Sequence, residues 1–313
     1  MTFIHLHWHS QYSLLEGIGQ IPNIIRQAQE LGMSAIAITD YYALYWALEF
    51  YQKAKKAGIQ AIIGVELPLV HDIWIKKWNL EHLWLVTILA NNWDGYKALL
   101  KLVSAASITG YYHKPRVDWS LLHEYQENLT VLIWWEQSVI ASQLEKNQEY
   151  QIIHDLIKRI ADTMWGKVII EYCVQDYALV PLARSINEIA LKLTKQSWYL
   201  LTCANNYHYI KADEQEPFEI ALAIRDQKLY QDRDRRKVVW QYHIMNEDEI
   251  HTIMLWHNVS SDQIDIMIHN TMTVAERLII KMPPLPAMFP SYDPPTNIQE
   301  LYDIVKNTLI INQ

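Results

Sequence analysis

Short runs rich in β-branched residues alternate along this chain with longer segments of helical period, and few folds accommodate that alternation. Seven strands can be read: 2–7, 34–40, 60–69, 82–90, 128–134, 167–174 and 198–205. Helical periodicity falls between them at 21–32, 43–58, 93–106, 153–164, 179–193 and 213–225. The first two of these stop at Gly32 and Gly58, and Pro22 sits near the start of the first. Proline early and glycine late is how helices are punctuated. Repeated strand–helix units predict an α/β fold built around a parallel sheet or barrel. At 313 residues, one large barrel or two domains are expected rather than a small module.

The texture changes near residue 275. "KMPPLPAMFPSYDPP", residues 281–295, carries six prolines and can hold neither a helix interior nor a central strand. "TNIQELYDIVKNTLI", residues 296–310, then opens on a Thr or Asn cap and runs apolar at helical spacing. The expected division is a domain over 1–275, and a Pro-rich linker with a first helix of something further over 276–313.

Composition narrows the function. A net charge of −8 argues against a protein that coats a phosphate backbone, because that affinity comes from Lys and Arg. The one basic run, "DRDRRK" at 232–237, is expected to be a solvated face. Only Cys173 and Cys203 occur, both in apolar runs where buried thiols are the default, which suits a reducing cytoplasm. No secretory leader is read at the start, and no apolar stretch approaches the ~20 residues of a membrane span.

Polar residues gather where the apolar strands do not need them. "HLHWHSQYSLLEG", residues 5–17, places His5, His7 and His9 at alternate positions, so His5, His7 and perhaps His9 share a face if the segment is extended. Asp40 closes the second strand, Glu66 lies in the third, His82 opens the fourth and His208 follows the last. Barrel enzymes collect their chemistry from the ends of several strands at one face. Imidazoles and carboxylates gathered this way suit divalent ions, and such ions suit phosphoester hydrolysis. No phosphate-cradling GxxxxGK[ST] or GxGxxG frame competes.

"HLHWHSQYSLLEG", "SAIAITD", "LEFYQKAKKAGIQAIIGVE", "HLWLVTILANNWDGYKALLKLVS", "GYYHKPRVDW" and "NNYHYI" together resemble the N-terminal PHP domain of bacterial replicative DNA polymerase III alpha subunits over nearly the whole chain. The resemblance implies a distorted seven-stranded (β/α) barrel followed by a Pro-rich linker and the start of the polymerase region. In intact members the barrel face holds up to three ions, usually zinc, and can perform 3'-5' proofreading. Carried over residue by residue, the ligands here are His5, His7, Glu16, Glu66, His82 and His208, with Asp40 as a supporting acid behind them.

Departures from the pattern fall at Tyr41 (an imidazole lost), Trp135 (a Cys lost) and Asn206 (an Asp lost). Phenol and indole are not usable ligands near neutral pH, and an amide offers a neutral oxygen. The expectation is therefore zinc or another divalent metal at reduced occupancy, with no catalytic residue assigned and the hydrolase activity lost. Magnesium would serve only the full polymerase, whose acidic palm lies beyond residue 313. Partners implied are the rest of the alpha subunit, other replicative holoenzyme subunits, and DNA through the full subunit. The competing reading is a stand-alone metal-dependent phosphoesterase of the histidinol-phosphatase type.

One oddity remains, since thirteen Trp stand against eight Gly. Trp46, Trp134 and Trp135 fall where the resembled family carries small residues, which suggests UGA codons meant as Gly.

Overall fold

The computed structural model describes residues 3–76, 84–133, 138–197, 199–284, 299 and 302–303. His82, Trp134, Trp135 and nearly all of the Pro-rich stretch lie outside them. The chain divides into two units, Met1–Lys281 and Met282–Gln313.

In chain order the elements are α1 Ile21–Glu30, β1 Ala35–Ile38, α2 Ala47–Lys56, β2 Gln60–Leu69, β3 Trp84–Ala90, α3 Trp93–Ile108, α4 Trp119–Tyr125, β4 Leu129–Ile133 and α5 Val139–Glu145. They continue with α6 Tyr150–Thr163, β5 Val168–Cys173, α7 Pro181–Gln196, β6 Leu200–Ala204, α8 Gln215–Arg225, α9 Glu247–Trp256 and α10 Ser261–Arg277. Helix starts are set locally. The Asn92 and Asp118 side chains accept from Gly95 N–H and Leu121 N–H, and Asn246 with Glu249 forms a reciprocal capping box. Gly32 and Gly58, at φ of 71° and 72°, turn the chain out of α1 and α2.

Among the described residues the strands form one six-stranded sheet in the order β1-β2-β3-β4-β5-β6, where seven strands are expected from the sequence. The first expected strand makes no regular ladder, because its backbone bonds alternate between two neighbours. Ala37 N–H donates to His5 O and Thr39 N–H to Trp8 O, while His9 N–H donates to Tyr207 O. Residues 3–9 thus lie against β1 on one side and the segment following β6 on the other. They tie together the two edges of the half-barrel.

Nor is the sheet wholly parallel. β3 runs antiparallel to both β2 and β4, whereas β1–β2, β4–β5 and β5–β6 are parallel. A single crossover helix returns the chain to its starting end and yields a parallel neighbour. No helix separates β2 from β3 among the described residues.

Both cysteines are buried and form no disulfide. No helix among the described residues is long and apolar enough to cross a membrane. The basic run is more engaged than a solvated face: Arg235 pairs with Glu219 at 2.7 Å with both largely buried, and Arg236 pairs with Asp226 at 2.7 Å. Trp46 is fully buried at φ −82°, and its indole N–H donates to Ala43 O at 3.1 Å, so the backbone there does not demand glycine.

Candidate metal centre

Three side chains converge where residues 3–9 meet β2. His7 Nε2 lies 2.8 Å from Glu66 Oε1 and 3.1 Å from His9 Nε2, and His9 Nε2 lies 3.6 Å from Glu66 Oε2. All three side chains are buried. A tetrahedral ion with 2.0–2.1 Å ligand bonds holds its donors roughly 3.3 Å apart, so these separations already suit one divalent ion. Among the described residues this is the one group of three or more His, Cys, Asp or Glu whose donor atoms all fall within 4.8 Å.

The protonation states favour a ligand role. Ser13 Oγ donates to Asp40 at 2.6 Å and therefore accepts from His9 Nδ1–H at 3.3 Å, which leaves His9 Nε2 bare toward Glu66. Burial first, then the neighbouring His208 and His7 imidazoles, holds His9 well below the ordinary histidine range. Glu66 is held by Thr87, directly opposite it on β3, whose hydroxyl donates to Oε1, while Oε2 has no hydrogen-bond partner. A buried carboxylate oxygen without a donor, facing a bare imidazole nitrogen, is the chemistry of a cation site.

The other expected residues distribute around this centre. His5 is buried but turned aside: its Nε2–H donates to Met245 O at 3.0 Å, its ring packs edge-on to Tyr207, and Nδ1 has no hydrogen-bond partner. Burial, against the opposing Met245 bond, lowers its pKa to about 3. His208 stacks on His9 at 4.9 Å and donates from Nδ1 to Glu16 O, leaving Nε2 as its acceptor; burial lowers its pKa to about 3. Glu16 is held by Arg225 at 2.6 Å, and burial still raises its carboxyl above the usual range.

Asp40 accepts from Ser10 N–H at 2.7 Å, Ser10 Oγ at 2.5 Å and Ser13 Oγ at 2.6 Å, and burial lifts its pKa to about 6 despite those bonds. Tyr41 stacks on His9 at 4.1 Å. Asn206 is buried, and together with Tyr41, His208, Glu16, Phe218 and Arg236 it lines a cavity of about 250 Å³.

Two residues go beyond the sequence-based assignment. His9 is the third of the alternating histidines and is not among the ligands that the resemblance implies. Glu171 on β5 is outside that assignment, although a lone acid inside "KVIIEYCV" is the kind of signal that marks one. It is 2% exposed, and neither of its oxygens has a hydrogen-bond partner. Burial raises its pKa to about 7, opposed by His7 and reinforced by the Glu66 charge.

A family model described as PHP domain matches residues 5–173. Among curated proteins, the DNA polymerase III subunit alpha of Borreliella burgdorferi is 30% identical over 88% of this chain and 23% of its own length. Those of Treponema pallidum and Helicobacter pylori are 29% and 27% identical over 94% and 92% of this chain, and 25% and 24% of theirs. The chain thus spans about a quarter of the curated relatives it matches. A solved amidohydrolase from Chromobacterium violaceum superposes with a TM-score of 0.45 at 13% identity, covering 66% of this chain and 87% of that one.

Proposed function

Because this chain belongs to the PHP domain family, we propose that it is the N-terminal PHP part of a DNA polymerase III alpha subunit and works in DNA replication, with its metal centre reduced to one ion. His7, His9 and Glu66 hold that ion. Tyr41 and Asn206 stand beside it without the charge that a multi-ion cluster needs, and the 3'-5' proofreading chemistry is lost. The convergence of three buried donors with separations of 2.8, 3.1 and 3.6 Å carries the reading. A single ion with one carboxylate can still bind water, but two-ion bracing of an in-line displacement is gone.

On this reading the domain serves chiefly as a structural part of the subunit. The polymerase region with its magnesium-binding palm, the other holoenzyme subunits and the DNA are engaged by the remainder of the protein, and the chain works in the cytoplasm. Metal analysis of the purified chain, with exonuclease and phosphomonoesterase assays in zinc or manganese, tests it. The expected result is one ion per chain, lost in His9→Ala, and no turnover. Three ions per chain with nuclease activity abolished by His7→Ala would overturn the reading, and phosphatase turnover would favour the stand-alone phosphoesterase.

A further inference from the structure

The sheet register places Glu171 on the same face as Glu66. Glu66 is opposite Thr87, Thr87 opposite Leu132 and Leu132 opposite Ile169, and residues directly opposite share a face. Glu171 is two residues beyond Ile169 on the same strand, so it returns to that face. The strand run around it is otherwise apolar, and no described residue hydrogen-bonds its carboxylate.

The charge count at the centre is incomplete without it. Two neutral imidazoles and one carboxylate leave a divalent ion with a surplus positive charge in a buried place, where uncompensated charge is expensive. The two other acids nearby are committed elsewhere. Asp40 accepts three hydrogen bonds from Ser10 and Ser13, and Glu16 is paired with Arg225. Glu171 is buried, unpartnered and electrostatically coupled to both His7 and Glu66. It lies outside the tight group of three donors.

We propose that Glu171 is the second anionic ligand of this centre, bringing a divalent ion bound by His7, His9 and Glu66 to neutrality. The inference rests on the one-ion reading above. Its carboxylate takes over charge that Asn206 does not supply, and the ion in turn satisfies an acid that the described residues leave without a hydrogen bond.

Zinc affinity of the full chain, measured by competition with a chromophoric chelator, tests this alongside melting temperatures with and without zinc. Glu171→Gln, nearly isosteric and uncharged, should weaken zinc binding tenfold or more. It should leave the zinc-free melting temperature equal or higher, and shrink the rise that zinc produces. Glu171→Asp, which keeps the charge, should recover part of the affinity. Zinc affinity of Glu171→Gln within twofold of the unsubstituted chain, while His9→Ala loses zinc, would sink the role of Glu171 and leave the three-donor site standing. No zinc binding by the unsubstituted chain would remove both.

Discussion

His5 offers a titration test that separates one buried imidazole from its neighbours. Its ring is fully buried, and its pKa falls from 6.5 to about 3 because burial penalises the charged form more than the Met245 carbonyl favours it. The fold therefore prefers neutral His5. The stability so gained is present above pH 6.5, where both states are neutral, and is lost as pH falls and the unfolded chain takes up a proton the folded one refuses. Each pH unit below 6.5 costs about 1.4 kcal/mol, which gives about 2 kcal/mol at pH 5. That figure depends little on the folded value, provided it stays well below 5. Other buried groups titrate over the same range, with Asp40 and Glu171 working in the opposite direction, so wild-type stability alone does not isolate His5. The comparison with His5→Gln does, because Gln keeps a donor for Met245 O and loses only the titration. Urea unfolding in chelator at pH 7 and pH 5 should show the stability advantage of the unsubstituted chain over His5→Gln falling by about 2 kcal/mol. A difference that stays constant to within about 0.5 kcal/mol would refute the assignment of a buried, neutral His5.

Two further expectations follow from local geometry. Asp40→Ala strands Ser10 N–H and the Ser10 and Ser13 hydroxyls in a buried place, and at about 1–3 kcal/mol per unmet group it should destabilise by at least 3 kcal/mol in urea unfolding, with Asp40→Asn milder. Trp165 is exposed and sits at φ +52°, in the left-handed region that favours glycine, so Trp165→Gly should leave the unfolding free energy in urea equal or higher, by up to about 1 kcal/mol of relieved strain; UGA codons at Trp46, Trp134 and Trp135 in the coding DNA would show that glycine is the natural residue there, and UGG at all three would end that idea.

What the sequence discloses here tracks how local each determinant is. Strands β1, β2, β4, β5 and β6 are legible because a run such as "QAIIGVELPL" needs no partner to declare itself. The direction of β3 is not legible, since it depends on the route of the connections flanking it rather than on its own residues. Residues 3–9 carry the alternation of a strand but divide their backbone bonds between Ala37 and Tyr207, and no local pattern encodes that division. The metal centre repeats the lesson at the level of side chains. That histidines at 5, 7 and 9 could hold an ion is visible in their spacing. Which of them face Glu66 is decided by Met245, 240 residues away, drawing His5 aside, and by Asp40 and Ser13 fixing the tautomer of His9. Glu171 is the extreme case, because its place on the same face as Glu66 follows only from the register of four successive strands. A family pattern assigns ligands position by position, and where positions such as 41 and 206 depart from it, compensation by an acid on another strand can be found only in three dimensions.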